Sequence, residues 1–190
     1  LREVPFGGDG DYSRKALISR LNVELANDLG NLAQRTLSLI ARNCGGSLPA
    51  RVPATEADAV LLAETEALPG LMREQLDRQA LNEALETVWR VIRASNGYID
   101  RQAPWALKKT DPERMRAVLR VLADALRGIA TVLQAFMPAS MASMLDQLGV
   151  PPDQRQISDL DHPLEAGTML PAPSGIFPRH VETATDGPAA

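Results

Sequence analysis

The chain has 190 residues, 45% of them hydrophobic but only 4% aromatic, and a formal net charge of −4. That length supports one domain with its own core, or one domain and a tail, and dominance of Leu and Ala favours helices over sheets. The acidic balance excludes a protein that holds nucleic acid mainly through a basic surface, because neutralising phosphates takes clustered Lys and Arg.

Cys44 is the single cysteine, so no internal disulfide and no cysteine-based zinc site can form. Its place beside Gly45-Gly46 suggests a small half-buried residue at a helix end. No apolar run approaches the length of a membrane span, and the first residues carry no basic-then-apolar signal. The expected setting is cytoplasmic, without membrane association. A first residue of Leu rather than Met reads as a fragment or a processed product.

Residues 1–12, with Pro5, Gly7, Gly8 and Gly10, read as an extended connector. Asp9-Gly10-Asp11-Tyr12-Ser13 lacks the later ligands of a calcium loop, and Asp11 or Ser13 as a helix cap is the simpler assignment. Apolar residues at Leu21, Leu25, Leu29, Leu32 and Ile40 predict a helix from about Ser13 to Asn43, with a break near Asn22 expected for a helix that long. Gly45-Gly46 stops it. Thr55 to Leu68 forms an acidic helix, Pro69-Gly70 interrupts, and residues 71–78 form another. The acidic cluster Glu56, Asp58, Glu64 and Glu66 reads as a solvated face.

A stronger helix is predicted from about Arg78 to Arg101 on the stripe Leu81, Leu85, Val88, Ile92 and Ile99, ended by Pro104. Trp89 at the edge of that stripe is assigned to the core. The next helix opens at Asp111-Pro112-Glu113, with an acidic cap and a proline in its first turn, and runs to Phe136. A last helix spans about 139–148, stopped by Gly149 and Pro151-Pro152. Residues 150–190 are proline-rich and read as an ordered tail packed on another surface, then a disordered end from about Val181. The expected architecture is all-α: an antiparallel helix bundle over 13–148 with an irregular tail over 149–190.

Within the first helix, Asn27, Asn31 and Arg35 fall at i, i+4 and i+8. Each step of four turns about 40°, so the side chains would form one slowly curving ladder roughly 12 Å long. Asparagine is a poor helix-interior residue because its side chain competes with the backbone, so Asn22, Asn27 and Asn31 suggest local tasks. Carboxamides and a guanidinium supply the donors and acceptors that reading a base edge requires. Trp105 follows Pro104 outside either flanking apolar stripe, which points to an exposed flat ring on which an unstacked base can lie. Lys108, Lys109, Arg114, Arg116 and Arg120 form a basic stretch, read either as a solvated face or as phosphate contacts.

Residues 1–43, beginning Leu1-Arg2-Glu3-Val4-Pro5-Phe6-Gly7 and including Asp9-Gly10-Asp11-Tyr12-Ser13, closely resemble the C-terminal part of bacterial methionyl-tRNA synthetases. So does Asn96-Gly97-Tyr98-Ile99-Asp100-Arg101-Gln102-Ala103-Pro104-Trp105. The likeness is looser over 50–80 and after 150. It implies a class I synthetase type of anticodon-binding bundle that recognises the CAU anticodon of tRNA(Met). It further implies that Asn27, Asn31, Arg35, Pro104 and Trp105 face the anticodon. Residues matching Asn31 and Arg35 help select the first base, cytosine, and the matching tryptophan stacks.

Lys108 and Lys109 are then candidate phosphate contacts, while Asn96 and Tyr98 are read as holding the corner. The resemblance also implies a catalytic domain of the same enzyme as partner, with no DNA partner. Leu170-Pro171 and Ile176-Phe177-Pro178-Arg179 resemble a family segment that folds back toward that domain.

No catalytic residue and no metal site is argued from this sequence. His162 and His180 are far apart and fit no metal spacing. The family's ATP-site signatures, His-Ile-Gly-His and Lys-Met-Ser-Lys-Ser, do not occur here. ATP and methionine therefore belong to the catalytic domain, and no cofactor is expected in this chain, nor activity by itself. The rival reading is a helical scaffold or protein-interaction module without RNA binding, favoured if Trp105 is buried. The anticodon domain of another class I synthetase is argued against by the Leu1–Gly7 segment and the Ala103-Pro104-Trp105 corner.

Overall fold

The computed structural model describes residues 7–10 and 13–181. Most of the expected connector, including Asp11 as a cap, and the expected disordered end beyond Val181 lie outside the described residues. The elements are α1 (Arg14–Arg20), a π-helical stretch (Leu21–Gly30), α2 (Asn31–Asn43), α3 (Glu56–Glu66), α4 (Leu68–Asp77), α5 (Leu81–Gln102), α6 (Pro104–Thr110), α7 (Pro112–Leu133) and α8 (Pro138–Gln147). Among the described residues, extended chain pairs only in one antiparallel bridge, Ser47 with Met169. The fold is the all-α bundle the periodicity predicts.

The first helix does not break near Asn22. It stays continuous by widening to i→i+5 turns over Leu21–Gly30, then returns to α geometry at Asn31. Gly30 fits the wide turn, because a Cβ there would stand 2.9 Å from the Leu25 carbonyl oxygen. Ser13 caps the helix, its Oγ accepting from the Ala16 amide at 3.2 Å. Asp111 caps α7 in the same way, accepting from the Arg114 amide at 2.9 Å, with Pro112 in the first turn.

Helix α7 is the axis of the core. Leu119, Leu122, Leu126, Ile129 and Leu133 are fully buried, and α2, α3, α5 and α8 pack around it. Gly128 lets α3 approach: a Cβ there would sit 2.5 Å from Cγ2 of Thr65. Trp89 is in the core, as its stripe predicts.

Two polar readings change. The acidic cluster is not uniformly solvated, because Asp58 is only 1% exposed. It caps α3, accepting from the Thr55 amide, and receives Arg114 through both oxygens at 2.6 and 2.7 Å and the Tyr98 hydroxyl at 2.5 Å. The basic stretch is likewise divided. Arg114 serves Asp58, and Arg120 is buried, donating to the Pro49 and Leu164 carbonyls at 2.9 and 2.7 Å and pairing with Asp124. Helical spacing alone could not reveal this, since every partner but Asp124 lies on another segment.

The tail is docked on the bundle. Arg127 donates to the carbonyls of His162 and Asp159 at 2.6 and 2.7 Å, and Leu48 exchanges backbone bonds with Thr168 and Gly167. Gln147 of α8 accepts from the Ser174 amide at 2.8 Å. From there residues 175–180 run beside the π-helical stretch.

Candidate nucleic-acid interface

Helix α5 ends because Ala103 adopts a left-handed conformation, φ 43° and ψ 58°, and Pro104 then starts α6 as its first residue. This is a corner rather than a stop: proline lacks the amide that a first turn leaves unpaired. Pro104 is buried, while the indole beside it is 49% exposed. The scaffold reading is favoured by a buried Trp105, and here that ring is half exposed.

The corner is braced from two sides. Asn96 donates its side-chain amide to the Asp28 carbonyl at 3.1 Å, tying α5 to the π-helical stretch. Arg114 bridges Asp58 and the Gln102 side chain, 2.8 Å away, so the C-terminal end of α5 is fixed to the buried Asp58–Tyr98 cluster. Burial alone would raise the Asp58 carboxyl. The bonds from Arg114, Tyr98 and the Thr55 amide, with the Arg114 charge, outweigh it and hold the group well below the usual carboxylate range. Burial, reinforced by Asp58, pushes the Tyr98 phenol above its ordinary value. Neither group changes charge near neutrality, so the brace is permanent there.

Asn27 and Asn31 are exposed on the helix, and Arg35 is partly exposed. The guanidinium carbon of Arg35 lies 5.2 Å from the Trp105 ring centroid, and its Nη2 donates to Asp100 at 2.6 Å. The ladder and the tryptophan thus meet at Arg35. Asn27 differs from the even ladder expected: it lies within the wide turns, and its Oδ1 already accepts from Arg179 at 2.6 Å. Lys108 and Lys109 are exposed on the last turn of α6, beyond the tryptophan.

Two cavities line this face. One of about 570 Å³ lies between Asn27, Asn31 and Gln34 on the helix and Phe177 and Arg179 on the tail. The other, of about 400 Å³, lies between Gln34, Arg35, Ser38 and Arg42 and the Trp105 ring. Gln34 borders both, so they form one groove along the helix. Three arginines line it, Arg35 among them already paired with Asp100, and among the described residues no carboxylate belongs to its lining.

Sequence reasoning missed Gln34, Ser38 and Arg42, although they repeat the four-residue spacing of the ladder one step away. It also missed Arg179, for which no local spacing signal exists. Among the described residues no cluster of metal-ligating side chains occurs, and no helix is long and apolar enough to cross a membrane.

The family described as anticodon binding domain of methionyl tRNA ligase matches residues 48–186, which take in Trp105 and Arg179. The chain is 50% identical to the methionine–tRNA ligase of Brucella suis over 183 residues, 96% of this chain and 36% of that protein. It is 49% identical to the corresponding protein of Mesorhizobium japonicum, again over 96% of this chain and 36% of the relative. Among solved structures, the free-state methionyl-tRNA synthetase of Mycobacterium tuberculosis superposes with a TM-score of 0.93 at 42% identity, over 96% of this chain and 38% of that one. The chain therefore spans little more than a third of the length of the proteins it matches.

Proposed function

Since this chain belongs to the family of anticodon-binding domains of methionyl-tRNA ligases, we propose that it binds the anticodon loop of tRNA(Met) and reads its CAU triplet. One observation carries the reading: a half-exposed tryptophan and a ladder of amides and a guanidinium border the same groove.

The chemistry follows from the side chains. Trp105 offers a rigid π-face to an unstacked base. The Arg35 guanidinium lies over that ring, so a base that stacks there displaces it to the base's edge, within reach of the base's polar groups. Arg35 can donate to the cytosine carbonyl or to a phosphate, and the Asn31 oxygen can accept from the exocyclic amine. A uracil presents a carbonyl where cytosine presents that amine, so Asn31 discriminates between them when the bound RNA holds its amide with the oxygen toward the base. Asn31 is exposed and ready for such a contact.

Within the longer ligase, this binding would orient the tRNA so that its distant acceptor end reaches the catalytic domain. The site contributes by position and selectivity rather than by making or breaking a bond.

The test is an NMR titration of the chain with a CAU anticodon stem-loop, following the Trp105 indole, beside a stem-loop with its first anticodon base changed. A shift that weakens with the changed base is expected. Equal shifts with both would reduce Trp105 to a generic stacking surface and remove the base-reading role of Asn31 and Arg35. No shift from a folded chain would overturn the reading.

A further inference from the structure

The groove has two walls, and only one comes from the helix. The other is the segment Gly175–His180, which returns from the far end of the chain. Asn22 fastens it, donating to the His180 carbonyl at 3.0 Å and accepting from the His180 amide at 2.8 Å. Phe177 packs against Gly30, its Cδ2 lying 3.5 Å from where a Cβ would stand, and the Ser174 amide is held by Gln147. Asn22 and Asn27, five residues apart, both meet this strap because the i→i+5 turns bring that spacing to one face.

Resting on the anticodon-binding reading, we propose that Arg179 is an RNA-binding residue that contacts a phosphate of the bound loop, so that the groove grips the RNA from both walls. The strap is already secured by Asn22, Gln147 and Phe177, so Arg179 is not needed to hold it down. Ordering an exposed arginine side chain costs about 2 kcal/mol of rotamer entropy, a poor investment for one more surface contact.

Its bond to the Asn27 oxygen uses one of five N–H donors and steers the guanidinium to the rim of the cavity. The remaining donors match phosphate oxygens in geometry and charge. Charge also stands at both ends of the groove: Arg179 at one and Arg42 at the other, with Asn31, Gln34, Arg35 and Ser38 between them. From Asn27 to Arg42 the helix rises roughly 20 Å, room for a few unstacked nucleotides. Amides in the middle suit base edges, and cations at the ends suit the backbone.

The test measures affinity of the full 190-residue chain for CAU and base-changed stem-loops over a range of salt, by fluorescence anisotropy. Arg179→Gln keeps a donor for Asn27 but loses the charge. It should weaken both RNAs alike, about 5-fold at 0.1 M salt, and lower the magnitude of the log K against log salt slope by about 0.7, the value for one phosphate on a single strand. Arg179→Lys should restore the slope. Asn22→Ala, which loosens the strap without removing charge, should leave the slope unchanged.

A wild-type slope in Arg179→Gln, or no restoration by Arg179→Lys, would make Arg179 a strap residue only. If Trp105→Ala still weakens binding in that case, the anticodon reading survives without the phosphate contact. If wild type fails to bind, or Trp105→Ala has no effect, both fall together.

Discussion

Arg35 holds its guanidinium over the Trp105 ring, 5.2 Å from the centroid, while the same group donates to Asp100 at 2.6 Å. The exposed indole and the guanidinium are thus held together by the chain's own contacts. The Arg35–Asp100 pair is solvent-exposed, so its value is geometric rather than energetic. Asp100→Ala should leave the melting temperature nearly unchanged yet alter Trp105 fluorescence, because the guanidinium loses the partner that holds it above the indole. Unchanged fluorescence would show that Asp100 has no hold on the stack.

Removing the indole should cost binding. Trp105→Ala is expected to weaken CAU stem-loop affinity by about 1–3 kcal/mol, the range for one base on an aromatic platform. Arg35→Lys should also weaken it, since an ammonium has neither the planar face nor the fork of donors. Asn31→Ala should act differently. It should lower the ratio of affinities for CAU over a uracil-first stem-loop more than it lowers overall affinity, as titrations of both RNAs would reveal.

The buried ion pair behind the corner should be costly to break. Arg114→Met leaves Asp58 buried with its main partner gone, which is expected to destabilise the fold by about 3–5 kcal/mol in urea unfolding. A loss below about 1 kcal/mol would mean that Asp58 finds water or another donor. The same change frees the Gln102 end of α5, so Trp105 emission should shift even in native conditions.

Acid should remove the same interaction in a defined window. The Asp58 carboxyl has a folded pKa well below its ordinary value. Its stabilisation is therefore complete above the unfolded pKa of about 3.9 and is lost as pH falls from there toward the folded value. The stability difference between wild type and Asp58→Asn should be constant near neutrality and shrink below about pH 4. A difference that stays constant into that acid range would refute the assignment.

The contact between α3 and α7 offers a packing test. Gly128→Ala would place a Cβ 2.5 Å from Cγ2 of Thr65, an overlap expected to cost about 1–3 kcal/mol. Thr65→Ser removes that methyl and keeps the hydroxyl that donates to the Leu61 carbonyl. Combined with Gly128→Ala, it should recover most of the loss in thermal melting.

Much of the bundle is legible in local chemistry. The period of Leu81, Leu85, Val88 and Ile92 fixes a buried face, Ser13 and Asp111 act as caps within three residues, and Gly45-Gly46 ends the first helix. Trp105 is legible as an outlier because neither neighbouring stripe includes its position. These features depend on backbone geometry and on partners a turn or so away, so the order of residues alone determines them.

The tertiary structure decided what those signals could not carry. Asp58 looks like one of several acids on a helix face until Tyr98 and Arg114, from two other helices, close around it. Arg120 sits in a basic run, yet it is buried because the Pro49 and Leu164 carbonyls receive it. Asn27 belongs to a helical ladder by spacing, but wide turns and a strap 152 residues away give it Arg179 as a partner. Side-chain chemistry states what each group needs, and only the folded chain decides which distant group supplies it.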